Sequence, residues 1–103
     1  SPFAEKTIKV KAIRLDDIIA KLNIEHIDWV KIDAEGAELE ILFGMKNILR
    51  CYRPRIILEA FWINKDKVVS FLTSHNYHIH VIKGTVSRRG CYLLAIPKEL
   101  DVK

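Results

Sequence analysis

The chain has 103 residues, half of them hydrophobic and 29% charged, which suits one small globular domain of the soluble type with one core. No apolar run approaches the ~18 residues that a membrane-spanning helix needs. Two cysteines without a CxxC spacing exclude a disulfide scaffold and a zinc ribbon.

The net charge of +4 is unevenly placed. Residues 1–50 hold eight Lys/Arg against nine Asp/Glu, a net of −1, and residues 51–103 hold nine against four, a net of +5. The basic half, densest at "SRRG" (87–90), is either ordinary solvated surface or an attraction for anionic ligands and nucleic acid. Cys51 and Cys91 sit beside apolar or aromatic residues and read as buried free thiols of a reducing compartment, so a cytoplasmic protein is expected. The N-terminal "SPFAEKTIKV" lacks the apolar core of a signal peptide. With serine at position 1, the chain is expected to be a processed or trimmed piece of a longer one.

In chain order, "TIKVKAI" (7–13) alternates polar and apolar residues and predicts a half-exposed strand. "LDDIIAKL" (15–22) predicts a short helix capped by Asp16, with Ile18, Ile19 and Leu22 on its apolar face. "DWVKI" (28–32) predicts a strand. Residues 37–50 predict one helix, with Ile41, Leu42, Met45, Ile48 and Leu49 on one side and Gly44 as a weak point. "RIILEAF" (55–61) reads as a buried strand after Pro54. Asn64 is placed to cap a helix over 65–75, with Val68, Phe71 and Leu72 turned inward. "YHIHVIK" (77–83) and "CYLLAIP" (91–97) predict two strands joined by the hairpin loop "GTVSRRG". Strands alternating with helices imply an α/β fold with right-handed crossovers and a mainly parallel sheet, in which the closing hairpin reverses one strand.

The stretch "DWVKIDAEGAE" (28–38) places carboxylates where a strand hands over to a helix. Ligands of open α/β sheets bind outside the carboxyl ends of the strands. Asp33 lies at such an end, Glu59 near the same end of the next strand, and Glu35 and Glu38 in the loop and first helical turn. Two readings stand side by side. The acids form the rim of a pocket for general-base chemistry, for hydroxyl or amine groups, or for a hard cation. Alternatively they are helix N-terminal charges, each stabilising by ~0.3–1 kcal/mol, and Gly36 only relieves a turn. Glu38 and Glu40 are the plainest candidates for helix surface.

"LDDII", "IDWVKIDAEGAELEILFGMKNIL" and "RPRIILEAF" together resemble the FkbM-type methyltransferases, whose marks are a Leu-Asp-Asp segment, a Lys-Ile-Asp-x-Glu-Gly-x-Glu core, an amphipathic helix and a strand ending in Glu. The resemblance covers roughly residues 8–61, and the remainder fits the last part of the same fold. It implies a partial Rossmann-like methyltransferase fold, with residues 1–103 as the C-terminal part of the domain. It also implies S-adenosylmethionine as cofactor, methyl transfer often to oxygen, and a small-molecule or glycan acceptor. By the same resemblance Asp33, Glu35 and Glu59 are the catalytic candidates, and Lys31, Gly36 and Glu38 the substrate-side candidates. The family's glycine-rich cofactor loop has no counterpart, since the only glycines are at 36, 44, 84 and 90 and no G-x-G occurs. The chain is therefore expected to be inactive alone.

Weaker candidates are His75, His78 and His80 as metal ligands or exposed strand residues, and Trp29 and Trp62 as stacking platforms or packing groups. Arg88 and Arg89 are phosphate binders or a charged loop tip. No metal site is expected. The rival readings are a non-catalytic module that assembles with itself or a partner, and, last, a nucleic-acid-binding domain, for which no strand interleaving aromatic and basic residues is present.

Overall fold

The computed structural model describes residues 14–101, so the strand expected over 7–13 lies outside the described residues. The described elements are α1 (Leu15–Ala20), β1 (Trp29–Ile32), α2 (Glu38–Phe43), α3 (Lys46–Cys51), β2 (Arg55–Phe61), α4 (Trp62–Ser74), β3 (Tyr77–Val81) and β4 (Gly90–Pro97), followed by a 3-10 turn at Lys98–Leu100. The four strands form one mixed sheet in the order β1-β2-β4-β3. β1 and β2 are parallel, whereas β4 runs antiparallel to both β2 and β3. The hairpin expected from "GTVSRRG" is present, and its second strand is inserted between β2 and β3.

The period of two in each strand decides the packing. Ile32, Ile56, Leu58, Ala60, Cys91, Leu93 and Ala95 alternate onto one face of the sheet and are buried there. Leu42, Met45, Ile48 and Leu49 from α2 and α3, with Val68 and Leu72 from α4, complete the same core, and Leu15 and Ile19 of α1 pack against it. Each fully buried aliphatic side chain contributes ~1.5–3 kcal/mol of transfer free energy, so this single interface dominates the stability. The opposite face carries Trp29, Lys31, Ile57, Glu59, Phe61, Tyr92, Leu94 and Ile96, and none of its apolar members joins the core. Among the described residues, then, helices cover one side only.

Four local expectations are corrected. The helix predicted over 37–50 is broken at Gly44–Met45 into α2 and α3. The cause is tertiary: the Gly44 carbonyl accepts the Asp16 N–H at 2.9 Å instead of continuing the helical ladder. A Cβ on Gly44 would make ordinary contact, 3.4 Å from the Arg14 Cα, so space does not demand the glycine there. Asp16 does not cap its own helix, whose N-cap position is Arg14. It is buried, and both carboxylate oxygens accept backbone N–H groups of α3. Asn64 lies inside α4, which begins at Trp62 because the Trp62 N–H is held by the Arg89 carbonyl at 3.0 Å. Cys51 is exposed, and only Cys91 is buried.

Candidate functional site

Strand register assembles the site. Ile32 is paired with Leu58, so the next step along both parallel chains sets Asp33 beside Glu59. Glu59 is in turn directly opposite Tyr92 across the antiparallel β2–β4 pair. Asp33, Glu59 and Tyr92 thus form a row across three strands, at the carboxyl ends of β1 and β2. Opposed residues share a face, so the Tyr92 side chain stands on the same side of the sheet as Glu59.

The electrostatics follow from that placement. The Tyr92 phenol is pushed above the ordinary tyrosine value, first by the charge of Asp33 and then by that of Glu59, while Arg89 acts in the opposite direction. Glu59 is buried, and its Oε2 lies 3.7 Å from Arg89 Nη2. The Arg89 guanidinium also lies over the Phe61 ring, 5.4 Å from its centroid. Arg89 therefore leans from the β3–β4 loop onto the acid row, where it meets a carboxylate.

The loop from Asp33 to Ala37 turns sharply. Glu35 has φ 45° and Gly36 φ 101°, two successive left-handed residues, and the Ala37 N–H closes the turn on the Ala34 carbonyl at 3.1 Å. A Cβ on Gly36 would meet only the Phe61 ring, at 3.8 Å, so the glycine is demanded by backbone conformation rather than by space. The Gly36 carbonyl accepts the Asn64 Nδ2 at 3.0 Å.

Glu38 departs from the helix-surface expectation. It is fully buried, whereas Glu40 is exposed. Its Oε1 accepts the Phe61 N–H at 3.1 Å, and its Oε2 has no hydrogen-bond partner among the described residues. Lys31 is exposed on the open face, level with Ile57 and one residue short of the Ile32–Leu58 pair. Of the six candidates, the fold brings Asp33 and Glu59 together, sets Glu35 and Gly36 in the adjoining turn, places Lys31 lower on the open face and hides Glu38 beneath the loop.

Of the weaker candidates, Arg89 meets the acid row, and the histidines and tryptophans make other contacts. His78 Nδ1 and His80 Nε2 both contact Asp101 Oδ2, at 2.9 and 3.0 Å. No group of three or more His, Cys, Asp or Glu among the described residues is arranged to hold a metal ion. Trp29 is exposed on β1 with Arg55 over its ring, and the Trp62 indole N–H donates to the Ser87 carbonyl.

One residue of the row, Tyr92, is not legible as a site residue in the sequence, whereas Arg89, read there as a phosphate binder or a charged loop tip, meets a carboxylate instead. The alternation of "CYLLAIP" puts Tyr92 opposite in sense to Cys91 and Leu93. Its neighbour Glu59, however, comes from a strand remote in sequence, on the flank away from the hairpin partner whose Ile82 N–H the Tyr92 carbonyl accepts at 2.9 Å.

The row can bind polar hydrogens with its two carboxylates and donate one from the phenol, a set suited to a hydroxyl- or amine-bearing ligand. None of the four glycines forms an anion cradle. Gly36 serves the turn and Gly44 the helix break. Gly84 lies on the hairpin with φ 79°, and Gly90 meets the Ala60 backbone. The described residues therefore do not fit the glycine-rich cofactor loop of an adenosylmethionine enzyme.

An α/β domain with a mixed four-stranded sheet and an acidic row at its strand ends is the class that the fold defines. The methyltransferase FkbM domain model matches residues 2–79, and the chain belongs to that family. It is also similar to the AMB antimetabolite synthetase AmbE of Pseudomonas aeruginosa strain PAO1, at 30% identity over 91 residues. That match takes in 77% of this chain and 4% of the relative's length. No solved structure matches the chain. The matched segment ends before β4, so Arg89 and Tyr92 reach the acid row from outside it. No described helix is long and apolar enough to cross a membrane.

Proposed function

We propose that this chain supplies the acceptor-side wall of an S-adenosylmethionine-dependent methyltransferase domain of Rossmann-like fold, acting on oxygen. Family membership supports the reaction class. The observation that carries the reading is the Asp33–Glu59–Tyr92 row at the strand ends. Asp33 is the general base that takes the proton lost by an acceptor hydroxyl when it is alkylated. Glu59 and Tyr92 orient the acceptor, with Glu35 at the rim and Lys31 lower on the same face. The acceptor is a small molecule or a glycan. The absence of any G-x-G supports the view that the methyl donor is held by residues beyond this chain, and that the chain is inactive by itself.

Calorimetric titration with S-adenosylmethionine tests the second part. Weak or undetectable binding is expected, and a low-micromolar dissociation constant would place the cofactor site within these residues. For the first part, this chain is joined to a cofactor-binding segment. Asp33→Asn should then cut turnover strongly at unchanged thermal stability, and full activity would leave Asp33 as a helix N-terminal charge only.

The second reading is a self-assembling module. It is favoured by the sheet face that the described helices leave uncovered and by β1, which pairs with β2 alone among the described residues.

A further inference from the structure

Glu38 is fully buried at the first position of α2. A carboxylate at a helix N-terminus gains ~0.3–1 kcal/mol when it is solvated, which does not account for one removed from water. Its Oε2 is left without a partner among the described residues, and an unsatisfied buried oxygen costs ~1–3 kcal/mol. Some other interaction must explain why the group sits there.

The Phe61 N–H provides it. Backbone N–H groups alternate sides along a strand. The Trp62 N–H is bonded to Arg89 on the β4 side, so the Phe61 N–H points to the other side, where β1 has already ended at Ile32. Glu38 Oε1 accepts that N–H at 3.1 Å, standing in for the missing strand. The left-handed pair Glu35–Gly36 turns the chain so that Glu38 reaches it. Asn64 of α4 holds the same loop from its Gly36 carbonyl.

We propose that Glu38 is a positioning residue: it clamps the β1–α2 loop to the end of β2 and so keeps Asp33 in line with Glu59 and Tyr92. The functional meaning of the aligned row rests on the methyl-transfer reading. The clamp itself does not, and its test needs no turnover. Failure of that reading would leave these measurements unaffected.

The Tyr92 phenol is a built-in reporter, because Asp33 is the foremost charge raising it and Glu59 the next, with Arg89 opposing. The three tyrosines, at 52, 77 and 92, are followed through a pH titration by carbon NMR of the labelled rings, and Tyr92→Phe assigns the signal. In the wild type Tyr92 should titrate above the ordinary value. Asp33→Asn should bring it down. Glu38→Leu should bring it down comparably, with the far-ultraviolet spectrum and the Tyr77 titration unchanged. Glu38→Gln keeps a carbonyl oxygen for the Phe61 N–H and should preserve the wild-type titration, as should the exposed control Glu40→Gln. A folded Glu38→Leu protein whose Tyr92 titrates as in the wild type would overturn the proposal. If Glu38→Leu does not fold, the Phe61 amide decides. Slow hydrogen exchange in both wild type and Glu38→Gln supports the clamp, and fast exchange in either overturns it.

Discussion

Asp16 caps a helix remote from its own: its Oδ1 accepts the Ile48 N–H at 2.9 Å, across 32 positions of sequence, while its Oδ2 accepts the Asn47 N–H at the same distance. The contact is buried on the Ile48 side, so water is a poor substitute. Asp16→Ala should destabilise the protein by ~1–2 kcal/mol, at the upper end for a lost cap. Asp16→Asn, which retains one acceptor, should cost less. Urea unfolding measures both, and an unchanged midpoint in the alanine variant would show that α3 does not depend on this cap.

Gly90 is the tightest point of the sheet. A Cβ there would lie 2.0 Å from the Ala60 carbonyl oxygen, a backbone atom that cannot swing aside. Gly90→Ala should therefore cost at or above the top of the ~1–3 kcal/mol range for overpacking. It should also loosen the end of the β2–β4 pair, where Phe61 faces Gly90. The denaturation midpoint and the exchange rates of amides 59–61 are the measurements. A variant as stable as the wild type would mean that the strands part there without loss.

Acid titration should expose the Arg53–Glu99 pair. The Arg53 side-chain hydrogen bond holds the Glu99 carboxyl at about 2, below its ordinary 4.5. A depressed acid stabilises the fold fully above its unfolded value and loses that contribution as pH falls through the folded one. Stability should thus decline from about pH 4.5 towards about pH 2. Glu99 is half exposed, so its share should stay below ~1 kcal/mol. Glu99→Gln should flatten that part of the pH–stability curve, and an unaltered curve would show that the pair contributes nothing.

Assembly is the fourth expectation. Trp29 is 53% exposed on β1, a strand at the edge of the described sheet. Such edges and open apolar faces template pairing with another chain. Sedimentation over a dilution series should reveal a dimer or larger species. A monomer persisting at high concentration, with the amides of residues 28–32 strongly protected from exchange, would end the idea.

Strand and helix identities were legible wherever apolar spacing was local and strong, as in β2 and the inward residues Val68 and Leu72 of α4. The acids near the strand ends were legible too, because Asp33 closes one apolar run and Glu59 interrupts another near its end. What escaped depended on contacts between distant segments. The break at Gly44 follows from a hydrogen bond to Asp16, and no helical periodicity encodes that. The burial of Glu38 follows from an N–H left over where β1 ends. Tyr92 joins the row only because β4 pairs with β2, a topological fact absent from any window of sequence.

The insertion of β4 between β2 and β3 also fixes a timetable. On the ribosome β2 emerges with a bare flank and keeps it through the synthesis of α4, β3 and the hairpin loop, because the strand that covers it begins at Gly90. Closing that long segment costs loop entropy before any pairing repays it, and such non-local contacts make folding slow. A nascent chain that stalls or is cleaved before Gly90 already carries Asp33, Glu59 and the buried Glu38. It presents the unsealed edge of β2, and aggregation of that intermediate competes with the arrival of β4.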